Sequence, residues 1–191
     1  KYTTETTALL ASAVQDSAGF ADSLLLKINM STTDTKVSPQ VDLQRTNFIG
    51  FENKIDNSNL SVGTDVAETN AVDGTSAAKH ITRTVNLEES AVGLKILFAA
   101  NRPAEASFAV YYRTGTTDDD LSSKAWILKA EDTSNPADND MGTFRQYEYM
   151  PGGQGGLLEA FTKFQVKIVM QSSNQSKIPT IKDLRVIAMV T

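Results

Sequence analysis

Apolar side chains recur at every second position along much of this chain. In FQVKIVMQ, Phe164, Val166, Ile168 and Met170 share one face, while Gln165, Lys167 and Gln171 take the other. That period of two is the signature of a half-buried strand. The same alternation groups Leu24, Leu26, Ile28 and Met30 in SLLLKINM, and sets Phe108, Val110 and Tyr112 against Ser107, Ala109 and Tyr111 in SFAVYYR. GLKILFAA places Leu94, Ile96 and Phe98 opposite Lys95, with Leu97 breaking the contrast. DLRVIAMV is apolar on both faces beyond Arg185, which predicts a central strand covered on each side. VDLQRTNFIGF, KHITRTVNL, KAWILKA and TFRQYEYM bring the set to about nine strands joined by polar turns. Helical patterning is confined to TTALLASAV and to one turn within GLLEAFTKF. The pattern predicts an all-β fold, an antiparallel β-sandwich.

Two polar stretches interrupt the alternation. Residues 52–78 are rich in Asn, Asp, Ser, Thr and Gly with few apolar anchors, and residues 131–142 form a shorter acidic loop. Loops of the first length are usually functional or poorly ordered. The expected organisation is an N-terminal arm over residues 1–20 and one sandwich domain over 21–191, carrying the long polar loop at 52–78. A proline precedes a strand in both SPQVDLQR and IPTIKDLR, where a fixed φ and a missing N–H are tolerated. The chain starts at Lys1 without a signal-peptide pattern, so it is expected to be a piece of a longer polypeptide.

Composition narrows the function classes. With 191 residues and an apolar fraction of 40%, the chain can build one core. A net charge of −5 argues against nucleic acid and against an anionic membrane surface as partners. Without cysteine there is no disulfide framework, thiolate nucleophile or Cys-type zinc site.

Candidate chemistry is sparse. His80, the single histidine, sits at a predicted strand start, and no GxSxG elbow accompanies it, so it reads as a solvent-facing or hydrogen-bonded strand residue. Asp118, Asp119 and Asp120 gather carboxylates of the kind Ca²⁺ takes, but their spacing is not that of an EF-hand, and a solvated turn is the plainer reading. Asp138 and Asp140 alternate better, with the same plain reading. PGGQGG at 151–156 lacks the Lys and Ser/Thr of a phosphate loop and reads as a flexible connection. Glu148 and Glu159 could be imagined as a glycosidase pair, though nothing selects them. No catalytic, cofactor or metal residues are assigned. Among Tyr111, Tyr112, Trp126, Tyr147 and Tyr149, exposed rings would offer stacking faces for sugars, and Tyr112, Trp126 and Tyr147 are the candidates. Tyr111 and Tyr112 point to opposite faces, one toward the core.

From His80 onward the order of segments HITRTVNL, LKILFAANRPAEASFAVYYRTG, AWIL, FRQYEYMPGGQGG and FTKFQVKIVMQSSNQSKIPTIKDLRVIAM resembles a module of virion structural proteins of tailed bacteriophages. The resemblance is in particular to proteins of contractile-tailed phages of cyanobacteria and other marine bacteria. VSPQVDLQRTNFIGFENKIDN resembles the element that precedes that module, and the Asn- and Thr-rich stretch at 56–78 departs from it. The resemblance implies a jelly-roll sandwich at the C-terminal part of a baseplate or tail-fibre-associated polypeptide. It implies a non-enzymatic structural protein of the virion tail or baseplate, without cofactor, working as a homo-oligomer among other virion structural proteins. A host-surface glycan-binding module of a tail fibre is the alternative.

Overall fold

The structure is a computed structural model that describes residues 29–42, 53–56, 68–72, 74–132, 134–140, 142–153, 156–174 and 177–190. The chain divides into two units, Lys1–Glu52 and Asn53–Thr191. In the first unit, residues 29–42 form no strand; Asp34 caps a turn by accepting from the Lys36 N–H at 2.9 Å. SLLLKINM and VDLQRTNFIGF fall largely outside the described residues, as TTALLASAV does entirely. The parts that are described, Asn29, Met30, Val41 and Asp42, are not in strands.

The strands of the second unit all pair antiparallel, and its only helical turn among the described residues is a 3₁₀ turn at Leu121–Ser123. Eight strands follow in order among the described residues: β1 (Lys79–Ile81), β2 (Val85–Ala91), β3 (Gly93–Asn101), β4 (Ala106–Gly115), β5 (Ile127–Lys129), β6 (Arg145–Tyr149), β7 (Phe161–Ser172) and β8 (Thr180–Met189). One sheet runs β1-β7-β4-β5, with β2 beside β7 beyond the end of β1; the other runs β6-β3-β8. The chain crosses between the sheets at most steps, so consecutive strands seal the same core from opposite sides.

The alternation read from sequence builds that core. Val110 and Tyr112 of β4 and Phe161, Phe164, Val166 and Ile168 of β7 meet Leu94, Ile96 and Phe98 of β3 and Tyr147 and Tyr149 of β6. The Phe98 ring lies 5.7 Å from both Tyr147 and Tyr149 in stacked pairs, and edge-on to Phe108 of the facing sheet at 5.3 Å. Such pairs add about 0.5–1.5 kcal/mol each beyond the burial of their area.

Several expectations change. KHITRTVNL splits into β1 and β2 around Thr82–Thr84, because the Thr82 hydroxyl takes the Val166 N–H at 3.0 Å and its carbonyl the Gln165 amide. KAWILKA keeps only three strand residues, since the Trp126 ring turns inward and its backbone N–H binds the Thr69 carbonyl instead of a strand neighbour. GLLEAFTKF contains no helical turn; residues 156–160 run irregularly into β7. Among the described residues β8 is an edge strand rather than a central one. Its register shifts opposite Phe98, between Leu97↔Arg185 and Ala99↔Lys182, with Asp183 at φ 57°. This bulge lets both Ile181 and Leu184 join the core, three positions apart, against the strict period of two.

Candidate functional site

β7 is not half-buried. On the face opposite the core, Lys167 is fully covered, and so is its partner Glu68: the ammonium lies 3.0 Å from the carboxylate and 2.6 Å from the Glu68 carbonyl. The ammonium also sits 4.9 Å from both the Tyr111 and Trp126 ring centres, a cation between two π faces. The Ser76 N–H donates to the other carboxylate oxygen at 2.8 Å. Burial pushes the Glu68 carboxyl up, but Ser76 and Lys167 outweigh it and hold its pKa below the ordinary value. Gly74, at φ 80°, lies so close to that carboxylate that a Cβ would meet it at 2.2 Å. Three cationic side chains from three strands each cap a carbonyl of this segment: Lys167 on Glu68, Arg113 on Ala71 and Lys79 on Gly74. The described parts of the 52–78 loop are therefore a polar strap fastened to the sheet. Asp56 extends it, accepting the Ser172 N–H on its carbonyl at 2.8 Å.

Beyond the strap the same face opens into a cleft of about 250 Å³. Its floor is Lys163 and Gln165 from β7 and Arg113 from β4, its rim Thr84, just ahead of β2, and Asn86 of β2, and its wall Asp119–Ser122. Lys163, Gln165 and Lys167 share a face because side chains on a strand alternate, and Arg113 is directly opposite Gln165 in the ladder. The Arg113 guanidinium stacks 4.1 Å from the Trp126 ring centre and donates to the Gln165 amide oxygen at 2.8 Å.

The wall is fixed by its own aspartates. Lys124 at 2.7 Å, with the Thr116 N–H at 2.6 Å, holds the Asp119 carboxyl down at about 2. The Ser122 hydroxyl and N–H keep Asp120 below its ordinary value, with the fields of Arg113 and Lys163 adding to the effect. Carboxyls held this low stay ionised near neutral pH, where they accept hydrogen bonds and are poor general acids.

The other sequence candidates are dispersed. Tyr112, Trp126 and Tyr147 are buried, so none presents a ring face to solvent for a sugar to stack on. Tyr112 faces the core and Tyr111 the opposite side, under the Lys167 ammonium. His80 is exposed on β1, opposite Ile168 in the ladder, and its imidazole makes no hydrogen bond among the described residues. Asp118 is exposed while Asp119 and Asp120 are engaged as above, so the three do not converge. Asp138 is buried between the Arg102 N–H at 2.8 Å and Arg145 at 2.6 Å, and Asp140 caps Gly142 and Thr143. Among the described residues no group of three or more His, Cys, Asp or Glu could hold a metal ion. Glu148 pairs with Lys95 at 2.9 Å, and Glu159 is exposed in the approach to β7. Pro151–Gly153 form a close-packed turn: the Pro151 carbonyl accepts the Leu94 N–H at 2.8 Å, and Gly152 sits at φ 76° against the Val92 carbonyl.

No helix among the described residues is long and apolar enough to cross a membrane. No family model matches the chain, and neither a curated protein nor a solved structure does.

Proposed function

We propose that this chain is a structural protein of a phage tail or baseplate, working through interfaces with copies of itself and with neighbouring virion proteins. The observation that carries the reading is the open edge of β8. Its ten residues pair on one side only among the described residues. The stretch Thr180–Arg185 carries the devices that keep edges apart, namely Lys182, Arg185 and the bulge at Asp183. The remainder, Val186–Met189, lacks them and exposes Ile187 at 51%, and Val190 just beyond the strand is exposed at 60%. An unprotected apolar edge is a template for strand addition from another chain. The two packed sheets support a sandwich of jelly-roll type as the finer architecture.

Sedimentation equilibrium of the wild type and of Ile187→Lys tests the interface. The reading expects a wild-type oligomer and a folded, monomeric variant. A wild type that stays monomeric at about 100 μM, where weak interfaces with Kd near 10⁻⁵ M are occupied, contradicts self-association through this edge.

A further inference from the structure

We infer that the cleft beside the strap is a binding site for one neutral, polyhydroxylated ring, the unit of a saccharide. The inference does not rest on the assembly reading, since β8 lies in the other sheet and none of its residues lines the cleft.

Charge selects the class of ligand. Arg113 and Lys163 on the floor face Asp119 and Asp120 on the wall. An anion entering the cleft meets two carboxylates, and a metal cation meets a guanidinium and an ammonium. A neutral group bearing hydroxyls meets neither penalty. Each hydroxyl both donates and accepts, and donors and acceptors are interleaved around this cleft.

The groups are held in place yet retain capacity. The Gln165 amide gives one N–H to the Thr82 carbonyl at 3.1 Å and its oxygen to Arg113, which leaves its second N–H. Lys163 donates to the carbonyls of Thr117 and Asp119, which leaves a third ammonium proton. Asp119 and Asp120 keep lone pairs beyond those used by Thr116, Lys124 and Ser122. The Asn86 carboxamide makes no hydrogen bond among the described residues and is exposed at the rim. Side chains locked by neighbours lose little entropy on binding, which favours even a small ligand. Size sets the limit: 250 Å³ is below the roughly 300 Å³ at which pockets for drug-sized ligands begin. One ring fits that space, and the rest of a longer glycan would lie outside.

The test is NMR titration of the folded chain, following the side-chain amide resonances of Asn86 and Gln165. The probes are methyl glycosides of a hexose, a 6-deoxyhexose and an N-acetylhexosamine, then inorganic phosphate and Ca²⁺. At least one glycoside is expected to shift both amides saturably, with Kd on the order of 1 mM. Asn86→Ala is expected to weaken that binding about fivefold, the loss of one hydrogen bond. Asn86 is exposed, and Thr84→Val on the same rim gives a second variant if the first misfolds. No saturable shift with any glycoside overturns the inference. Shifts with phosphate or Ca²⁺ instead of glycosides, or glycoside shifts indifferent to both variants, overturn it equally.

Discussion

Lys167 and Glu68 form an ion pair from which solvent is excluded, with N–O 3.0 Å and both side chains fully covered. Two isolated charges at such depth would cost several kcal/mol each in lost hydration. The site offsets that cost by completing the shells of both: two acceptors and two aromatic faces around the ammonium, and the Ser76 N–H on the carboxylate. The pair links a loop residue to a strand 99 positions away and fixes where the strap lies.

Breaking one side of this pair leaves a buried, uncompensated charge. Lys167→Met is expected to lower unfolding free energy by about 3–5 kcal/mol. Combining it with Glu68→Leu should recover part of the loss, though not all, because the Ser76 N–H then lacks its acceptor. Urea denaturation of the wild type and the variants checks both expectations. A Lys167→Met protein as stable as the wild type contradicts the arrangement.

The strap should also loosen in acid. The Glu68 pKa is lower in the folded chain than its ordinary 4.5, so the folded form binds this proton less readily than the unfolded form. Its contribution to stability is complete above the unfolded value and is lost as pH falls through the folded one. Hydrogen exchange of the Ser76 amide, compared at neutral pH and below 4.5, should show protection falling with acid. In Glu68→Gln that acid-dependent part should disappear.

Asp119 offers a second titration. Its carboxyl is expected to titrate at about 2 by carbon-detected NMR. Removing the ammonium in Lys124→Met should move it upward toward its ordinary 3.8, with the remaining depression coming from Thr116. An Asp119 titration unchanged by that substitution contradicts the Lys124 contact.

Strand patterning was legible where it ran long. β3, β4 and β7 were readable because apolar side chains alternate over most of their lengths and the same residues fill the core. β8 was readable as a strand, but its place was not: apolar residues on both faces suggest a central strand, whereas here the second apolar face is left exposed at Ile187. Lys167 reads as a solvent-facing residue by its period, and its burial depends on a carboxylate in a loop with no apolar pattern. The aromatic residues suggested a sugar platform by type alone, and burial removes Tyr112, Trp126 and Tyr147 from that role. Lys163, Gln165, Arg113 and Asn86 gave no motif because the cleft is assembled by strand pairing rather than by a sequence run.

Backbone strain gives a further expectation. Asp183 holds φ 57° in the β8 bulge, a conformation open to Asp and Gly but costly for a β-branched side chain. Asp183→Val should lower stability by about 1–2 kcal/mol, while Asp183→Gly should stay within about 1 kcal/mol of the wild type. Thermal unfolding of the two variants side by side distinguishes them. Equal loss in both would mean that the Asp183 side chain, not its backbone, holds the bulge.

The most direct measurement of the proposed role is gold-labelled antibody imaging of tailed-phage particles purified from the source of this chain, with serum raised against residues 53–191. The account predicts label on the tail or baseplate of intact particles. Absence of label on intact and on disrupted particles alike would contradict it.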